Sequence, residues 1–305
     1  MDVRDDNAAT GTARREREVE RPANDRAGGC RNHGWLVAQR GPAHKRAVAA
    51  DLFDMKLRAM RRDRARRRGM EPFLYERAFA DCLERIALVP RRFASALLIG
   101  AFGPDWRQRL GKHAEQVTVL DDVEDRWTPE PGRFDLCLAV GTLDTVNDPT
   151  RAFRAIRTAL VPDALFIGAL SGGDTLPRLR AAMRAADAVD GQAVPHVHPR
   201  IEASALAPLL SASGFVSPVV DVDRVPVSYE RLDRLVADLR AMGATNILAE
   251  RPRHPLSRAA CVAAARAFAA AGENGRTTET FEILHFATRA APASPSPSPT
   301  ALPNR

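Results

Sequence analysis

The sequence predicts an α/β protein with a mostly parallel β-sheet and helices on both of its faces. Short apolar runs and helical segments alternate along most of the 305 residues. This alternation is typical of parallel strands that are joined by helices. The run Ser95–Gly100 is apolar after its first residue and ends in glycine, as is common for a strand buried on both faces.

The individual elements follow from apolar spacing and from residues that begin or end helices. Asp148 and Pro149 are typical of a helix start, Val161-Pro162 ends that helix, and Gly214 and Gly243 close two later helices. The predicted strands lie at 95–100, 117–121, 134–140, 165–170, 216–222 and 279–287. The predicted helices lie at 46–68, 71–88, 105–114, 149–160, 175–189, 203–213, 230–242 and 256–271.

Composition divides the chain into four parts. Residues 1–45 have no apolar period, and 290–305 form a Pro/Ser-rich tail, so both ends are predicted to be disordered. Between them we expect N-terminal helices over 46–90 and the main domain over 91–289. A helical insertion within that domain is expected at about 230–272.

Charge and cysteine usage exclude several classes of protein. Residues 1–70 hold 18 basic and 10 acidic residues, whereas the remainder holds 27 and 28, so the body has no basic excess for nucleic acid. The Arg-rich stretch 61–68 is interpreted as a solvated basic helix. No run of 18 apolar residues is present, and a membrane span is not expected. The four cysteines lie far apart without a CxxC motif, which indicates a reducing cytoplasm.

Candidate ligand-binding residues follow three predicted strands. Ligands in such folds bind beyond the carboxyl ends of the strands, near the point where the strand order reverses. The turn after the first strand contains Gly100, Ala101 and Gly103, where glycine permits close backbone approach. Asp121 lies 21 residues after Gly100, a spacing that suits an acid binding ribose hydroxyls. The remaining candidates are Asp122 and Gly141.

Two histidines invite comparison with a metal site. His196 and His198 are separated by one residue, but no third ligand lies at a recognisable spacing, and prolines flank the pair. A surface loop is therefore favoured over a metal site. We predict no metal and assign no catalytic residue.

Several stretches between Asp51 and Ala291 resemble one family. The chain is similar to class I S-adenosylmethionine-dependent methyltransferases, most of all to bacterial relatives of the mitochondrial complex I assembly methyltransferase-like protein (an arginine hydroxylase) and to the malonyl-carrier-protein methyltransferases of biotin synthesis. The resemblance rests on Leu52-Phe53-Asp54, Val146-Asn147-Asp148-Pro149, 168–176 with Arg180, 219–224 with Tyr229, 238–246, and Thr280-Phe281-Glu282.

The resemblance implies a Rossmann-like sheet of seven strands with an antiparallel last strand, and S-adenosylmethionine as cofactor. The acceptor would be a protein or a small molecule, with a respiratory-chain subunit as one option. Two alternatives remain open: an arginine hydroxylase or assembly factor for a complex I subunit, and a non-catalytic binding module.

The chain also departs from the family pattern. Ile99 takes the place of an acid, Phe102 lies between the two glycines, and Asp144-Thr145 replaces a His-Trp pair. Phe134 follows Asp121 by only 13 positions, so the middle of the sheet is expected to be shortened. Asp121 then follows either the second strand, as the ribose acid, or the third, with Asp122 near the adenine; the spacing from Gly100 favours the second strand.

Overall fold

The sheet has six strands in the order β2-β1-β3-β4-β6-β5. The computed structural model describes residues 51–123 and 127–292. Its strands are β1 (Phe93–Ile99), β2 (Ala114–Leu120), β3 (Phe134–Val140), β4 (Leu160–Ser171), β5 (Phe215–Tyr229) and β6 (Thr277–Ala290). Neighbours among β1 to β4 are parallel, and β6 runs antiparallel to both β4 and β5. The expected mostly parallel sheet with an antiparallel C-terminal strand is confirmed.

Eight helices are present in the described ranges. They are α1 (Met55–Arg67), α2 (Phe73–Ala87), α3 (Trp106–Leu110), α4 (Pro149–Ala159), α5 (Pro177–Asp190), α6 (Ala203–Ala212), α7 (Leu232–Ala241) and α8 (Arg258–Ala270). None of them is long and apolar enough to cross a membrane. The predicted arm 1–45 and nearly all of the predicted tail 290–305 lie outside the described residues.

Helices cover both faces of the sheet, as predicted. On one face, Phe153 of α4 and Leu206 of α6 pack with Phe166 of β4. On the other, Phe79 of α2 and Trp106 of α3 pack in the cluster that contains the inward side chains of β1 and β3. A third cluster joins α5, α7 and α8, and the latter two helices lie between β5 and β6 in the chain.

The middle of the sheet is short, which the spacing also predicted. The described residues between Leu120 and Phe134 contain no helix or strand, and β2 pairs only with β1. The chain leaves β1 toward β2 on one side and returns to β3 on the other. The point where the order reverses therefore lies between the carboxyl ends of β1 and β3.

The N-terminal helix α1 is fastened to distant parts of the chain. The backbone N–H of Phe53 donates to the Asn147 side chain at 2.8 Å, and the Asn147 amide donates back to the Phe53 carbonyl at 3.2 Å. The N–H of Asp54 donates to the Ile247 carbonyl, and Arg251 lies 3.3 Å from the Asp54 carboxylate. These contacts anchor the start of α1 to the segment after β3 and to the segment after α7.

The predicted cap of α4 is confirmed, and its loss should be measurable. The Asp148 carboxylate accepts from the Arg151 N–H at 2.9 Å, directly before Pro149 at the first helical position. We expect Asp148→Ala to lower the free energy of unfolding by about 1 kcal/mol in urea denaturation. Asp148→Asn keeps an acceptor and should remain close to the wild type. Equal losses in both variants would contradict a capping role.

Candidate functional site

The glycines after β1 are required by packing within the chain itself. Gly100 has a φ of +81°, and a Cβ there would lie 2.5 Å from Thr142 Cγ2. A Cβ at Gly103 would overlap the indole of Trp106. The predicted close backbone approach is present, but the neighbours are Thr142 and Trp106 rather than open space. Gly103→Val would therefore disrupt packing against Trp106, and a loss of ligand binding in this variant would not identify a ligand contact.

An aromatic stack occupies the space beside this turn. The Phe102 ring stacks on Tyr75 of α2 with centroids 4.3 Å apart, and its edge meets Trp106 at 5.9 Å. The guanidinium of Arg62 lies 4.9 Å from the centre of the Phe102 ring, on its face. A Cβ at Gly141 would lie 2.6 Å from the Tyr75 ring. Phe102, the residue that departs from the family's glycine pattern, is what fills the turn.

The two adjacent acids after β2 have different surroundings. The Asp121 side chain is 72% exposed and lies 3.6 Å from Arg66. The Asp122 side chain is only 24% exposed and pairs with Arg58 at 2.7 Å and with Arg62 at 3.4 Å. Because β2 lies next to β1, the topology agrees with the alternative in which Asp121 follows the second strand.

Burial dominates the electrostatics of the Asp122 group. Desolvation raises the pKa of Asp122, although the nearby charges of Arg58 and Arg62 act in the opposite direction. Desolvation also lowers the pKa of Arg58 to about 9, with the charge of Arg62 adding to the shift, and it lowers the pKa of Arg62. Burial disfavours the charged form of all three side chains. Each therefore depends on its oppositely charged partner to remain ionised.

The segment after β3 is bound by the same two arginines. Arg58 donates to the Thr142 carbonyl at 2.8 Å, and Arg62 donates to the Gly141 carbonyl at 2.8 Å. Two residues further along, Asp144 forms an ion pair with Arg200, and both side chains are almost fully buried. Arg58 and Arg62 thus connect the ends of β2 and β3, which brings Gly100, Asp122 and Gly141 into one group.

Buried polar atoms without partners are concentrated here. In the described ranges, six buried side-chain nitrogen or oxygen atoms lack a hydrogen-bond partner, and five of them belong to this group. They are Arg58 Nε, Asp122 Oδ1, Thr142 Oγ1, Asp144 Oδ1 and Arg200 Nε. Buried polar groups are nearly always hydrogen-bonded in folded proteins, and such a concentration marks a place that a ligand or water completes.

The space at this edge does not fit a nucleoside-sized ligand in the present arrangement. One cavity, lined by Tyr75, Gly141 and Arg200, holds about 20 Å³, and a second one that shares these three residues holds about 40 Å³. Ligand pockets for small molecules usually measure about 300–1,000 Å³. The polar groups therefore suit a ligand, whereas the volume is taken by the Tyr75–Phe102 stack and the Arg62 side chain.

Several residues of this group were missed by the sequence interpretation. Arg62 lies in the stretch 61–68 that was interpreted as solvated, yet it is almost fully buried. The available signal was the spacing of Arg58 and Arg62, four residues apart and therefore on the same face of a helix. Tyr75 and Arg200 carried no comparable signal.

The two histidines have different surroundings. His196 contacts Asp187 at 2.7 Å, whereas His198 is buried against the Phe53 ring and accepts from the Ile247 N–H at 2.9 Å. The favoured surface-loop interpretation is wrong for His198, because the loop 191–202 folds inward there. In the described part of the chain, no group of three or more His, Cys, Asp or Glu side chains is arranged to hold a metal ion.

His198 should make stability depend on pH. Burial, with the charges of Arg61 and Arg58, lowers its pKa from 6.5 to about 4. The unfolded chain then takes up a proton below pH 6.5 that the folded protein does not. This part of the stability is complete above pH 6.5 and is lost toward pH 4, by up to about 1.4 kcal/mol per pH unit.

The comparison with His198→Gln isolates this contribution. The variant keeps an acceptor for the Ile247 N–H but does not titrate. Free energies of unfolding measured through this pH window should fall less steeply for the variant than for the wild type. Parallel pH profiles would show that His198 has an ordinary pKa in the folded protein.

Comparisons with known proteins give relatives over most of the chain. No family model matches it. The chain is 30% identical over 280 residues to the human mitochondrial arginine-hydroxylase NDUFAF5, which covers 82% of this chain and 79% of that protein. It is also 30% identical over 154 residues to the malonyl-[acyl-carrier protein] O-methyltransferase of Laribacter hongkongensis, half of each chain. Among solved structures, the YcgJ protein of Bacillus subtilis covers 70% of this chain and 99% of its own, with 14% identity and a TM-score of 0.44.

Proposed function

The chain belongs to the family of the mitochondrial arginine-hydroxylase NDUFAF5, and from this premise we propose that it is a class I S-adenosylmethionine-dependent methyltransferase whose donor binds at the carboxyl ends of β1, β2 and β3. Gly100, Ala101 and Gly103 would border the donor on one side, and Gly141 on the other. Asp121 would accept from the ribose hydroxyls, and Asp122 would lie near the adenine.

One observation carries this proposal. Five buried polar atoms without partners lie together at the strand edge where a doubly wound sheet binds its ligand, and three of them, on Asp122, Thr142 and Asp144, belong to the segments after β2 and β3. Two of them, Asp122 Oδ1 and Thr142 Oγ1, follow β2 and β3 directly. A purely structural cluster would be expected to satisfy these atoms, because leaving each one unpaired costs about 1–3 kcal/mol.

The arrangement corresponds to a closed form of the site. Bound donor supplies an already activated methyl group, so the protein's contribution is to position and desolvate the reactants. Asp121 is exposed and accessible to a ribose without rearrangement. Phe102 and Tyr75 must separate to make room, and the cost of separating them would weaken the observed affinity.

A titration with S-adenosylmethionine tests this proposal. Phe102→Ala removes the ring that fills the turn and should bind the donor at least tenfold more tightly than the wild type, because the closed form loses its main contact. Asp121→Ala removes an acceptor of two hydrogen bonds and should bind at least tenfold more weakly. Glu115→Ala, at the opposite end of β2 and also exposed, is the matched control and should bind as the wild type does.

The outcomes separate the alternatives. If neither the wild type nor Phe102→Ala binds the donor at millimolar concentration while both remain folded, the methyltransferase proposal fails. The non-catalytic binding module then takes its place. Binding that Asp121→Ala leaves unchanged would place the ribose elsewhere.

The acceptor is a separate question, and the relatives favour one candidate. The relative that covers 82% of this chain is named an arginine-hydroxylase, so a protein arginine, for example on a respiratory-chain subunit, is the acceptor to test first, before small molecules. Mass spectrometry of an arginine-containing subunit after incubation with the protein distinguishes an added methylene from an added oxygen. An unmodified subunit that co-purifies with the protein would instead favour an assembly role.

The cysteines favour a reducing compartment for this activity. Cys82, Cys137 and Cys261 are all free, and burial raises the pKa of the Cys82 thiol to about 12. Because the thiolate is the reactive form, buried thiols of this kind are inert. Free cysteines are typical of a reducing compartment, and we propose a cytoplasmic location on that ground.

A further inference from the structure

A large and mainly apolar cavity lies beside the strand edge, where Arg200 is one of its lining residues. It holds about 810 Å³ and lies among α5, α7 and α8. Its walls include Leu179, Met183, Val236, Leu256 and Phe268. This volume lies in the range of small-molecule sites, which are typically apolar with a few polar groups that fix orientation.

A second cavity adjoins the first and has the opposite character. It holds about 750 Å³ and shares Val236, Arg240, Thr245 and Asn246 with the apolar cavity. Arg61, Arg64, Arg68 and Arg240 line it, and none of the described residues lining it is acidic. The apolar cavity thus lies directly beside a cluster of positively charged side chains.

Three of these arginines are available to a ligand. Arg64, Arg68 and Arg240 are exposed, and their side chains have no hydrogen bond or ion pair with another described residue. Arg61 is held in place by donating to Thr245 Oγ1 at 2.8 Å. Burial, followed by the charge of Arg251 and then that of Arg64, lowers the pKa of Arg61, so an anion here would relieve repulsion among like charges.

The acidic residues at the border of the apolar cavity are already neutralised. Glu230 pairs with Arg276 at 2.9 Å, and Asp233 pairs with Arg231 at 2.6 Å. They therefore do not compete for the arginines of the second cavity. The charge that remains unmatched in this region is positive and lies on one side of the apolar cavity.

We propose that the two cavities form one binding site for a fatty acid, with the hydrocarbon chain in the apolar cavity and the carboxylate on Arg64, Arg68 and Arg240. The guanidinium group matches a carboxylate with paired N–H donors, and the apolar walls provide the gain from burying methylene groups. The site does not depend on donor binding at the strand edge, and it survives failure of the methyltransferase proposal.

Isothermal titration of the full chain with saturated fatty acids below their critical micelle concentration tests the site. We expect one molecule to bind, with the dissociation constant falling about fourfold per added methylene until the cavity is full. Dodecanol, which has the same chain as dodecanoate without the charge, should bind at least tenfold more weakly. Equal affinity for the acid and the alcohol would refute the role of the arginines.

Two variants test the two halves of the site separately. Arg64→Gln/Arg68→Gln/Arg240→Gln should weaken dodecanoate at least tenfold and leave dodecanol unchanged. Arg107→Gln/Arg151→Gln/Arg154→Gln removes the same charge from other exposed positions and should bind as the wild type does. Ala265→Trp, at an exposed position that lines the apolar cavity, should abolish binding of both ligands without lowering Tm.

Three results would overturn the proposal. The first is affinity that rises without limit as the chain lengthens, which indicates adsorption to the surface. The second is full binding in Ala265→Trp, which places the chain elsewhere. The third is binding to anionic phospholipid vesicles that dodecanoate does not displace, which assigns the arginines to a membrane surface instead.

Discussion

Asp122→Ala is expected to lower the free energy of unfolding by about 3–5 kcal/mol, because it leaves two arginines buried without a counter-charge. Arg58 and Arg62 are both almost fully buried, and Asp122 is the acid that contacts them at 2.7 and 3.4 Å. Desolvation already lowers the pKa of both guanidinium groups. Removing the carboxylate therefore leaves both buried charges without compensation. Urea denaturation should measure the resulting decrease in the free energy of unfolding.

Asp121→Ala is the matched control for this prediction. The two acids are adjacent, but Asp121 is exposed and its contact with Arg66 at 3.6 Å lies at the surface. Such pairs contribute little, and we expect a change of less than about 0.5 kcal/mol. If both alanine variants were equally stable, Arg58 and Arg62 would have to be solvated, and the closed arrangement of the strand edge would be wrong.

Glu279→Ala should cost about 3 kcal/mol, through the loss of a cap that comes from another element. The N-cap position of α5 is Leu176, whose side chain has no acceptor. The buried carboxylate of Glu279 on β6 accepts instead from the N–H groups of Arg178 at 3.2 Å and Leu179 at 2.7 Å. Without it, two N–H groups at a helix start lose their partner, at about 1–3 kcal/mol each.

Glu279→Gln separates hydrogen bonding from charge at this position. The amide oxygen still accepts, but the favourable interaction of a carboxylate with the helix dipole is lost. Thermal unfolding should place Gln between the wild type and Ala. An alanine variant as stable as the wild type would mean that water replaces Glu279 without cost and that the cap is not structural.

The sequence predicted those elements whose signals are local. Phe134–Val140 was placed with its observed bounds, because a run that is apolar except for Asp135 lies between Arg133 and Gly141. The signal for the helix cap at Asp148 was also local, because it consists of Asp148 and Pro149. β5 was predicted at 216–222 but runs from Phe215 to Tyr229. Its second half contains the charged pair Asp223-Arg224 and Pro226, which interrupt the local strand pattern. Pairing with the long antiparallel strand β6 holds this half in the sheet, and that pairing is not visible from either segment alone.

The sequence predicted that three loops meet at one edge of the sheet, but not which side chains fill that edge. The loops after β1, β2 and β3 do converge, because parallel strands end at one edge of a sheet. The side chains that fill this edge come from α1, α2 and the loop before α6, far away in the chain. Arg200 lies 56 residues from Asp144, and Arg58 lies 84 residues from Thr142. Pairings over such distances depend on the folded topology, and composition suggested only a solvated basic helix.

The contacts that hold the start of α1 form late during synthesis of the chain. The partner Asn147 lies 94 residues after Phe53, and Arg251 lies 197 residues after Asp54. At about 5–20 residues per second, a ribosome finishes the last of these contacts roughly 10–40 s after α1 has emerged. Until then the docking surface of α1 is incomplete, because the partners of Phe53, Arg58 and Arg62 are synthesised before those of Asp54. The first described helix to be synthesised is thus among the last to dock. The strand edge is therefore covered late in the folding of the newly made chain.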